Sequence, residues 1–170
     1  MDNKNTDSRK IAYLSMFLAL ALILSYVESL IPFSFGIPGV KLGLTNVIVV
    51  WLLYLMGPGE AVGVSVMRIL LAGFMFGNAF SILYSLAGGL LSFIVMYLLK
   101  HTNKLNVVTI SITGGLFHNI GQLAIAAIIV SNYHILYYIP VLLCAGALTG
   151  LLIGLISQEM ILRLYRFMER

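Results

Sequence analysis

Charged residues are scarce in this chain. Of its 170 residues only 9% are Asp, Glu, Lys or Arg, whereas 61% are hydrophobic, and the mean hydropathy is +1.03. A soluble domain of this length needs many more charged side chains to cover its surface. The composition therefore excludes a soluble globular protein and predicts an all-α integral membrane protein.

Sequence motifs for nucleotide and metal chemistry are also missing. No G-x-x-x-x-G-K-[ST] segment occurs, so the chain is not expected to bind and hydrolyse ATP through a phosphate-binding loop. The acidic residues are too few and too scattered to hold a magnesium–diphosphate pair; they are Asp2, Asp7, Glu28, Glu60, Glu159 and Glu169. A single cysteine, Cys144, excludes an internal disulfide and a cysteine-based metal cluster. We therefore expect no enzymatic activity, no metal and no cofactor.

Long apolar segments fill almost the whole chain, so residues 1–170 are expected to form one membrane domain. A bilayer core about 30 Å thick needs about 20 apolar residues per helix. The candidate transmembrane helices are Ile11–Ile31, Val40–Met56, Glu60–Phe76, Ala79–Leu99, Val107–Ser131 and Ile135–Ser157. The second and third are short and joined by Gly57-Pro58-Gly59. They fit either a tight hairpin of full spans or a re-entrant pair.

The basic residues are distributed asymmetrically about these six spans. Eight of the ten fall on one side: Lys4, Arg9, Lys10, Lys100, Lys104, Arg163, Arg166 and Arg170. Cytoplasmic loops of membrane proteins carry such an excess of Lys and Arg. The pattern therefore predicts cytoplasmic N- and C-termini, and it explains the net charge of +4 without a nucleic-acid partner.

Arg68 lies mid-way along the third apolar segment. An arginine at the centre of a membrane helix costs about 2.5–3.5 kcal/mol on insertion scales, so it is retained only where it faces a protein interior, a wet cavity or an anionic partner. We interpret it as part of a polar pocket. The alternative is a structural arginine tied to backbone carbonyls or to Glu28.

Further polar residues lie at similar depth. On the fifth span His118 and Gln122 are one helical turn apart, and Asn119 is beside them. From mid-membrane to the outer rim, Lys41, Asn46, Asn78 and Tyr84 complete the candidate pocket, with Phe33 and Phe35 in the first outer loop as possible cover for a flat ring. The two positively charged residues of this pocket, Lys41 and Arg68, favour a ligand with a carboxylate, phosphate or other electron-rich group. An interhelical hydrogen-bond network is the alternative.

Small residues recur at the four-residue spacing that lets membrane helices approach closely. The sixth span carries Gly146, Gly150 and Gly154, and we expect this face to pack inside the protein. Gly59 and Gly63 repeat the spacing on the third span. On the first span Ser15 and Ala19 form a similar pair, which can pack internally or dock a partner helix.

Three segments together carry a family resemblance. Gly39-Val-Lys-Leu-Gly-Leu-Thr-Asn46, the run from Ser81 to Ser92 and His118-Asn-Ile-Gly-Gln122 resemble small membrane proteins known as heptaprenyl diphosphate synthase component I or Gx transporter. That family is similar to the substrate-binding S components of energy-coupling factor (ECF) vitamin transporters. The resemblance implies a six-helix bundle with an outward pocket that is closed by the first loop.

The resemblance also implies partners and cargo. S components work with a transmembrane coupling subunit and two ATPase subunits, and the coupling subunit docks on a small-residue motif whose nearest match here is Ser15-x-x-x-Ala19. A bacterial cytoplasmic membrane and a small anionic or aromatic cargo are implied, either flavin-like or a quinone or isoprenoid precursor. The alternatives are a membrane subunit of polyprenyl diphosphate or quinone synthesis, and an anchor for an extracellular redox complex.

Overall fold

The computed structural model describes residues 3–30, 43–130, 137 and 139–168. This part of the chain forms a bundle of α-helices, which confirms the all-α membrane class. In chain order the helices are α1 (Asn3–Leu30), α2 (Asn46–Leu55), α3 (Pro58–Phe76), α4 (Ala79–His101), α5 (Val107–Val130) and α6 (Ile139–Met168). Lys41, Phe33, Phe35 and the rest of the first loop lie outside the described residues.

Five of these helices are long and apolar enough to cross a membrane, and α2 is not. The span predicted at Val40–Met56 is a ten-residue helix, Asn46–Leu55. At 1.5 Å per residue it is about 15 Å long, half the thickness of a bilayer core. Gly43, just before it, has a φ of +79°, a left-handed conformation that a continuous helix does not contain. The apolar pattern hides this break because Gly43 has apolar neighbours.

The outer helices extend further than their apolar segments. Helix α6 continues to Met168, well past the predicted end at Ser157, and α1 begins at Asn3 rather than Ile11. Beyond the apolar part of α6, Arg163 Nε donates to Glu159 Oε1 at 2.8 Å, an i,i+4 pair of the kind that stabilises helices in water. The hydropathy pattern marks the apolar part of a helix, and the helix itself continues beyond that part.

Helix α2 lies at the centre of the larger apolar core. Most of its residues are buried, and Leu52 and Leu53 are 0% and 1% exposed. Around them pack Ala21 of α1, Ala61 and Val64 of α3, Met96 of α4, Ile110 of α5 and Ile153 of α6. The half-length helix is therefore enclosed by the five long ones.

Helices α4, α5 and α6 approach closely through glycines. A Cβ atom at Gly146 of α6 would lie 2.7 Å from the carbonyl oxygen of Gly115 on α5, and one at Gly150 would lie 2.7 Å from that of Ser111. On the other side of α5, a Cβ at Gly88 of α4 would lie 2.6 Å from the carbonyl oxygen of His118. The internal packing predicted for the α6 glycines is confirmed, and α5 is held on two faces at backbone contact distance.

Basic side chains tie the helices together at one end of the bundle. Lys10 of α1 forms an ion pair with Glu60 at the start of α3. Lys100, near the end of α4, donates to the carbonyl oxygen of Leu53 at 2.5 Å and lies 4.6 Å from the ring centroid of Tyr54. Since the last carbonyls of a helix have no partner within it and carry partial negative charge, Lys100 stabilises the carboxyl end of α2.

The close glycine contact predicts the effect of added volume. Gly146→Ala should lower the free energy of unfolding by about 1–3 kcal/mol, because the new methyl group overlaps the backbone of α5. We would measure this by thermal and denaturant unfolding in detergent. Gly63→Ala is the matched control, since a Cβ atom there has no neighbour within 4 Å. Equal stability of the two variants would contradict the packing described here.

Candidate ligand-binding site

The amino end of α2 lies inside the bundle, and an acidic side chain from α1 occupies it. Glu28 Oε1 accepts hydrogen bonds from the backbone N–H groups of Gly43 at 2.5 Å and Leu44 at 3.3 Å. Both N–H groups belong to the turn just before α2, because the first N–H groups of the helix itself donate to the carbonyl oxygens of that turn. A carboxylate beside the amino end of a helix is also favoured by the helix dipole. Glu28, only 6% exposed, thus fixes the start of α2 within the membrane-embedded part of the protein.

Arg68 faces the same region from α3. It is 3% exposed, and the carboxylate of Glu28 attracts it electrostatically. Arg68 lies about 15 Å along α3 from the first residue of that helix, near the middle of the helix. Glu28 is the partner that one interpretation of the sequence named for Arg68, and a role of Arg68 in a ligand pocket stays a prediction.

Asn46 and His118 meet at Gly43. A Cβ atom at Gly43 would be 3.1 Å from Asn46 Nδ2 and 3.1 Å from His118 Cδ2, so only glycine fits there. His118 Nε2 is in turn 3.0 Å from Gln122 Nε2 on the next turn of α5. The three polar side chains are 5%, 2% and 1% exposed. The structure therefore brings together Asn46, His118 and Gln122, which the sequence placed in one pocket.

Helix α4 closes the site through a small residue. A Cβ atom at Gly88 would lie 2.8 Å from Gln122 Cγ and 3.2 Å from His118 Nδ1. Any larger residue would push the two polar side chains away from α4. The buried serines Ser81 and Ser85 lie on the preceding turns of the same helix.

Three predicted site residues have other contacts. Asn119 turns to α6, where its Nδ2 donates to the carbonyl oxygen of Leu142 at 2.6 Å. Tyr84 is buried in an apolar cluster with Leu123, Ala126 and Leu142. Asn78 is exposed and caps α4, its Oδ1 accepting from the N–H of Ser81 at 2.8 Å. Lys41 falls outside the described part of the chain.

The proposed docking pair lies on the surface of α1. Ser15 and Ala19 are both exposed. Ser15 also lines a groove of about 460 Å³ between α1 and α3, whose wall includes Gly59, Gly63 and Met67. No atom lies within 4 Å of a Cβ built on either glycine, so the α3 glycines do not pack within the described bundle. Ser15 and the two α3 glycines thus line one open groove, and Ala19 lies one helical turn further along α1.

The sequence was compared with known protein families. The family model described as heptaprenyl diphosphate synthase component I matches residues 17–160. The chain belongs to this family. No curated protein matches the chain. The matched region begins within α1 and ends within α6, so it includes every described residue of the site. This multi-pass membrane protein has several polar side chains buried in its interior.

Four polar atoms of this family member are buried near the amino end of α2 without a hydrogen-bond partner. They are Glu28 Oε2, Arg68 Nη2, Ser25 Oγ and Thr45 Oγ1. Ser25 is one helical turn from Glu28, and Thr45 follows Leu44 in the chain. Sequence reasoning assigned no role to Ser25 or Thr45, whereas it named Glu28 as a possible partner of Arg68 and as a residue at the end of the first span. The three-residue spacing from Ser25 to Glu28 was the signal available.

The arrangement is suited to binding a polar molecule. Within the described residues no three His, Cys, Asp or Glu side chains group as metal ligands. What the site offers is a cation, a carboxylate, amide groups and an imidazole, all deeply buried. Unsatisfied buried polar groups are rare in native proteins and commonly mark the place of a ligand or of ordered water.

The buried charges predict a measurable coupling. Glu28→Gln and Arg68→Met should each destabilise the protein by about 3 kcal/mol, because each leaves the opposite charge buried alone. The double variant should lose less than the sum of the two. Denaturant unfolding of the four proteins gives the coupling energy. A control cycle combines Arg68→Met with Ser29→Ala in place of Glu28→Gln, because Ser29 is exposed and its hydroxyl donates only to the carbonyl oxygen of Tyr26. Additivity in both cycles would show that the charges do not interact.

Proposed function

We propose that this protein is the substrate-binding membrane subunit of an ECF-type transporter. The observation that carries the proposal is the polar cluster around the amino end of α2, which joins Glu28, Asn46, Arg68, His118 and Gln122 in the middle of an apolar bundle. Such residues are costly in a membrane protein and commonly mark the path or binding site of a solute.

The half-length helix supports transport. Membrane transporters repeatedly place their substrate sites at the ends of discontinuous helices near mid-membrane, where free N–H groups and the helix dipole are available. Helix α2 begins in the bundle interior and is too short to cross the membrane. Its amino end has its polar neighbours on α1, α3 and α5, so a bound solute would touch several helices that can move relative to one another.

Partners would supply the energy and the motion. No phosphate-binding loop occurs in the sequence, which fits a subunit driven by two separate ATPase subunits. A transmembrane coupling subunit would dock on the groove that contains Ser15 and Gly63, with Ala19 exposed one helical turn further along α1. The end of the bundle with Lys10 and Lys100 would face the cytoplasm of a bacterial cell, together with both termini.

The cargo would be a small flavin-like solute, or a precursor of a quinone or isoprenoid. The site supports binding rather than chemistry, and we propose that the protein is not itself an enzyme. Among the side chains that the structure describes, Glu28 is the one buried carboxylate, and it already accepts two backbone hydrogen bonds. Neither a pair of carboxylates for acid–base catalysis nor a magnesium–diphosphate site is formed by the described side chains.

The family description supports a second candidate function. It names one component of a heptaprenyl diphosphate synthase, so the chain would then be a membrane partner of a soluble prenyl synthase. In that case Arg68 would hold an isoprenoid diphosphate near the membrane. The two candidates differ in their partners and in what they bind.

Affinity purification from the native membrane distinguishes the transport function from the prenyl synthase function. Transport predicts that the tagged chain brings ATPase subunits and a transmembrane coupling protein with it, identified by mass spectrometry. Recovery of a soluble prenyl synthase without any ATPase would exclude the transport proposal and establish the second candidate.

A pair of α5 variants then tests the site. Gln122→Leu should reduce the amount of co-purified small molecule at least tenfold, because it removes a buried amide beside His118. Thr113→Val is the matched control on the same helix, since the Thr113 hydroxyl only bonds the carbonyl of Thr109. Equal retention by the two variants would place the ligand elsewhere.

A further inference from the structure

A small cavity lies at the end of the bundle where α2 and α4 terminate. Its volume is about 150 Å³, and it is lined by Leu53, Pro58, Tyr97, Lys100, His101 and Asn103. Leu53 is near the carboxyl end of α2, whereas the polar cluster with Glu28 surrounds the amino end of the same helix. The cavity is therefore separate from the candidate ligand-binding site, and its role does not depend on the transported solute.

Hydrogen-bond donors from α4 line this cavity. The ammonium group of a lysine has three N–H groups. Lys100 donates one of them to the carbonyl oxygen of Leu53, and its Nζ lies 4.6 Å from the ring centroid of Tyr54. A further N–H group is thus available to a molecule in the cavity. His101 stacks on Tyr97 with 6.4 Å between the ring centroids, which leaves the N–H edge of its ring available as well.

Asn103 adds an amide from the turn that follows α4. Its φ of +55° is a left-handed conformation, which asparagine adopts more readily than most other residues. Its backbone N–H donates to the carbonyl oxygen of Lys100 at 3.1 Å, so the turn folds back on the end of α4. The side-chain amide of Asn103 is thereby held at the same cavity as Lys100 and His101, and an amide nitrogen can donate two hydrogen bonds.

The positive charge of this cavity is not balanced by an acidic side chain in its wall. Among the described residues that line it, none is acidic. Glu60, in the first turn of α3, pairs with Lys10 and lines the groove between α1 and α3 instead. The carboxyl ends of α2 and α4 each carry about half a negative charge, and the charges of Lys100 and of the exposed Lys104 together exceed that sum. An anionic ligand is therefore the complementary one.

The size and position of the cavity favour a phosphate group. A cavity of about 150 Å³ holds a molecule as large as benzene, and a phosphate group is of similar size. Tyrosine and lysine side chains such as Tyr97 and Lys100 are suited to the boundary between membrane and water, the depth at which phospholipids carry their phosphates. On the same part of α4, Ile94 and Leu98 are 51% and 59% exposed, which offers apolar surface to the acyl chains of such a lipid.

We propose that this cavity binds a phosphate group at the boundary between membrane and water, with Lys100, His101 and Asn103 as its hydrogen-bond donors. An anionic phospholipid and a free phosphate ion both supply this group, and the phospholipid would also cover the apolar surface of α4. Because Lys100 also donates to the carbonyl oxygen of Leu53, the bound phosphate is linked to the carboxyl end of α2. Occupancy therefore stabilises the half-length helix from the end opposite to Glu28.

Three substitutions distinguish a defined site from general attraction to a charged surface. Lys100→Met removes the ammonium group from the cavity wall. Lys104→Met removes the same charge from the exposed turn after α4 and is the matched control, since Lys104 does not line the cavity. Asn103→Asp keeps the bond between Lys100 and Leu53, tolerates the left-handed backbone and puts a carboxylate beside the ligand. It tests the site even if Lys100→Met does not fold.

Binding is measured on the full chain in a neutral detergent, by native mass spectrometry during titration with phosphatidylglycerol. Diacylglycerol with the same acyl chains is the matched probe without phosphate. Inorganic phosphate is tested separately, by its effect on the melting temperature at constant ionic strength. We expect Lys100→Met and Asn103→Asp each to weaken phosphatidylglycerol binding about tenfold, because a hydrogen bond to a charged group is lost or is replaced by repulsion. Lys104→Met should weaken it only slightly, since an exposed charge contributes little.

The probes also identify the source of the phosphate. Binding of phosphatidylglycerol but not of diacylglycerol, with the expected loss in the cavity variants, establishes a lipid site. If instead inorganic phosphate raises the melting temperature of the parent and of Lys104→Met but not of Asn103→Asp, the cavity is a site for free phosphate. Equal binding of phosphatidylglycerol and diacylglycerol, together with no effect of inorganic phosphate, would overturn the proposal. Equal effects of Lys104→Met and of the folded cavity variants on both phosphate probes would also overturn it, because only surface charge would then matter.

Discussion

The whole architecture depends on how the two ends of α2 are stabilised. The amino end of α2 lies in the bundle interior, and hydrocarbon offers no hydrogen bonds, so the polar groups there must find partners within the protein. Glu28 from α1 serves the amino end and Lys100 from α4 serves the carboxyl end. Each charge is opposite in sign to the end of the helix dipole that it faces. The other helices surround this element, and the polar cluster follows from its position.

The contacts around the site differ in tightness on its two sides. Helices α4, α5 and α6 touch at backbone distance through Gly88, Gly115 and Gly146, which leaves no room for side chains to adjust. Helix α1 has a largely exposed surface, with Ile11 63% and Ile23 59% exposed, and an open groove separates part of it from α3. His118 and Gln122 therefore belong to a tightly packed helix, whereas Glu28 belongs to a helix with few packing neighbours. A site between a fixed and a more loosely held part is suited to opening and closing.

The sequence predicted the helices from simple physical rules, and the site only in part. Apolar length identified α1, α3, α4, α5 and α6, and the four-residue spacing of Gly146, Gly150 and Gly154 predicted the α6 packing face. Adjacent residues on a helix point in different directions. His118 therefore faces α4, while Asn119, the next residue of α5, faces α6. The shortness of α2 was hidden because hydropathy does not register the backbone conformation of Gly43.

The position of Glu28 near the end of α1 has a consequence for biosynthesis. The chain is made from its amino end, so α1 enters the membrane before Gly43, Leu44 and Arg68 exist. Glu28 is two positions before Leu30, where α1 ends, so its carboxylate can remain hydrated at the membrane surface during that interval. Helix α2, once synthesised, brings its amino end to the carboxylate, and α3 brings the guanidinium. The same residue at the centre of α1 would have to enter hydrocarbon as an unpaired charge, so its place in the helix allows the polar interior to be assembled in the order of translation.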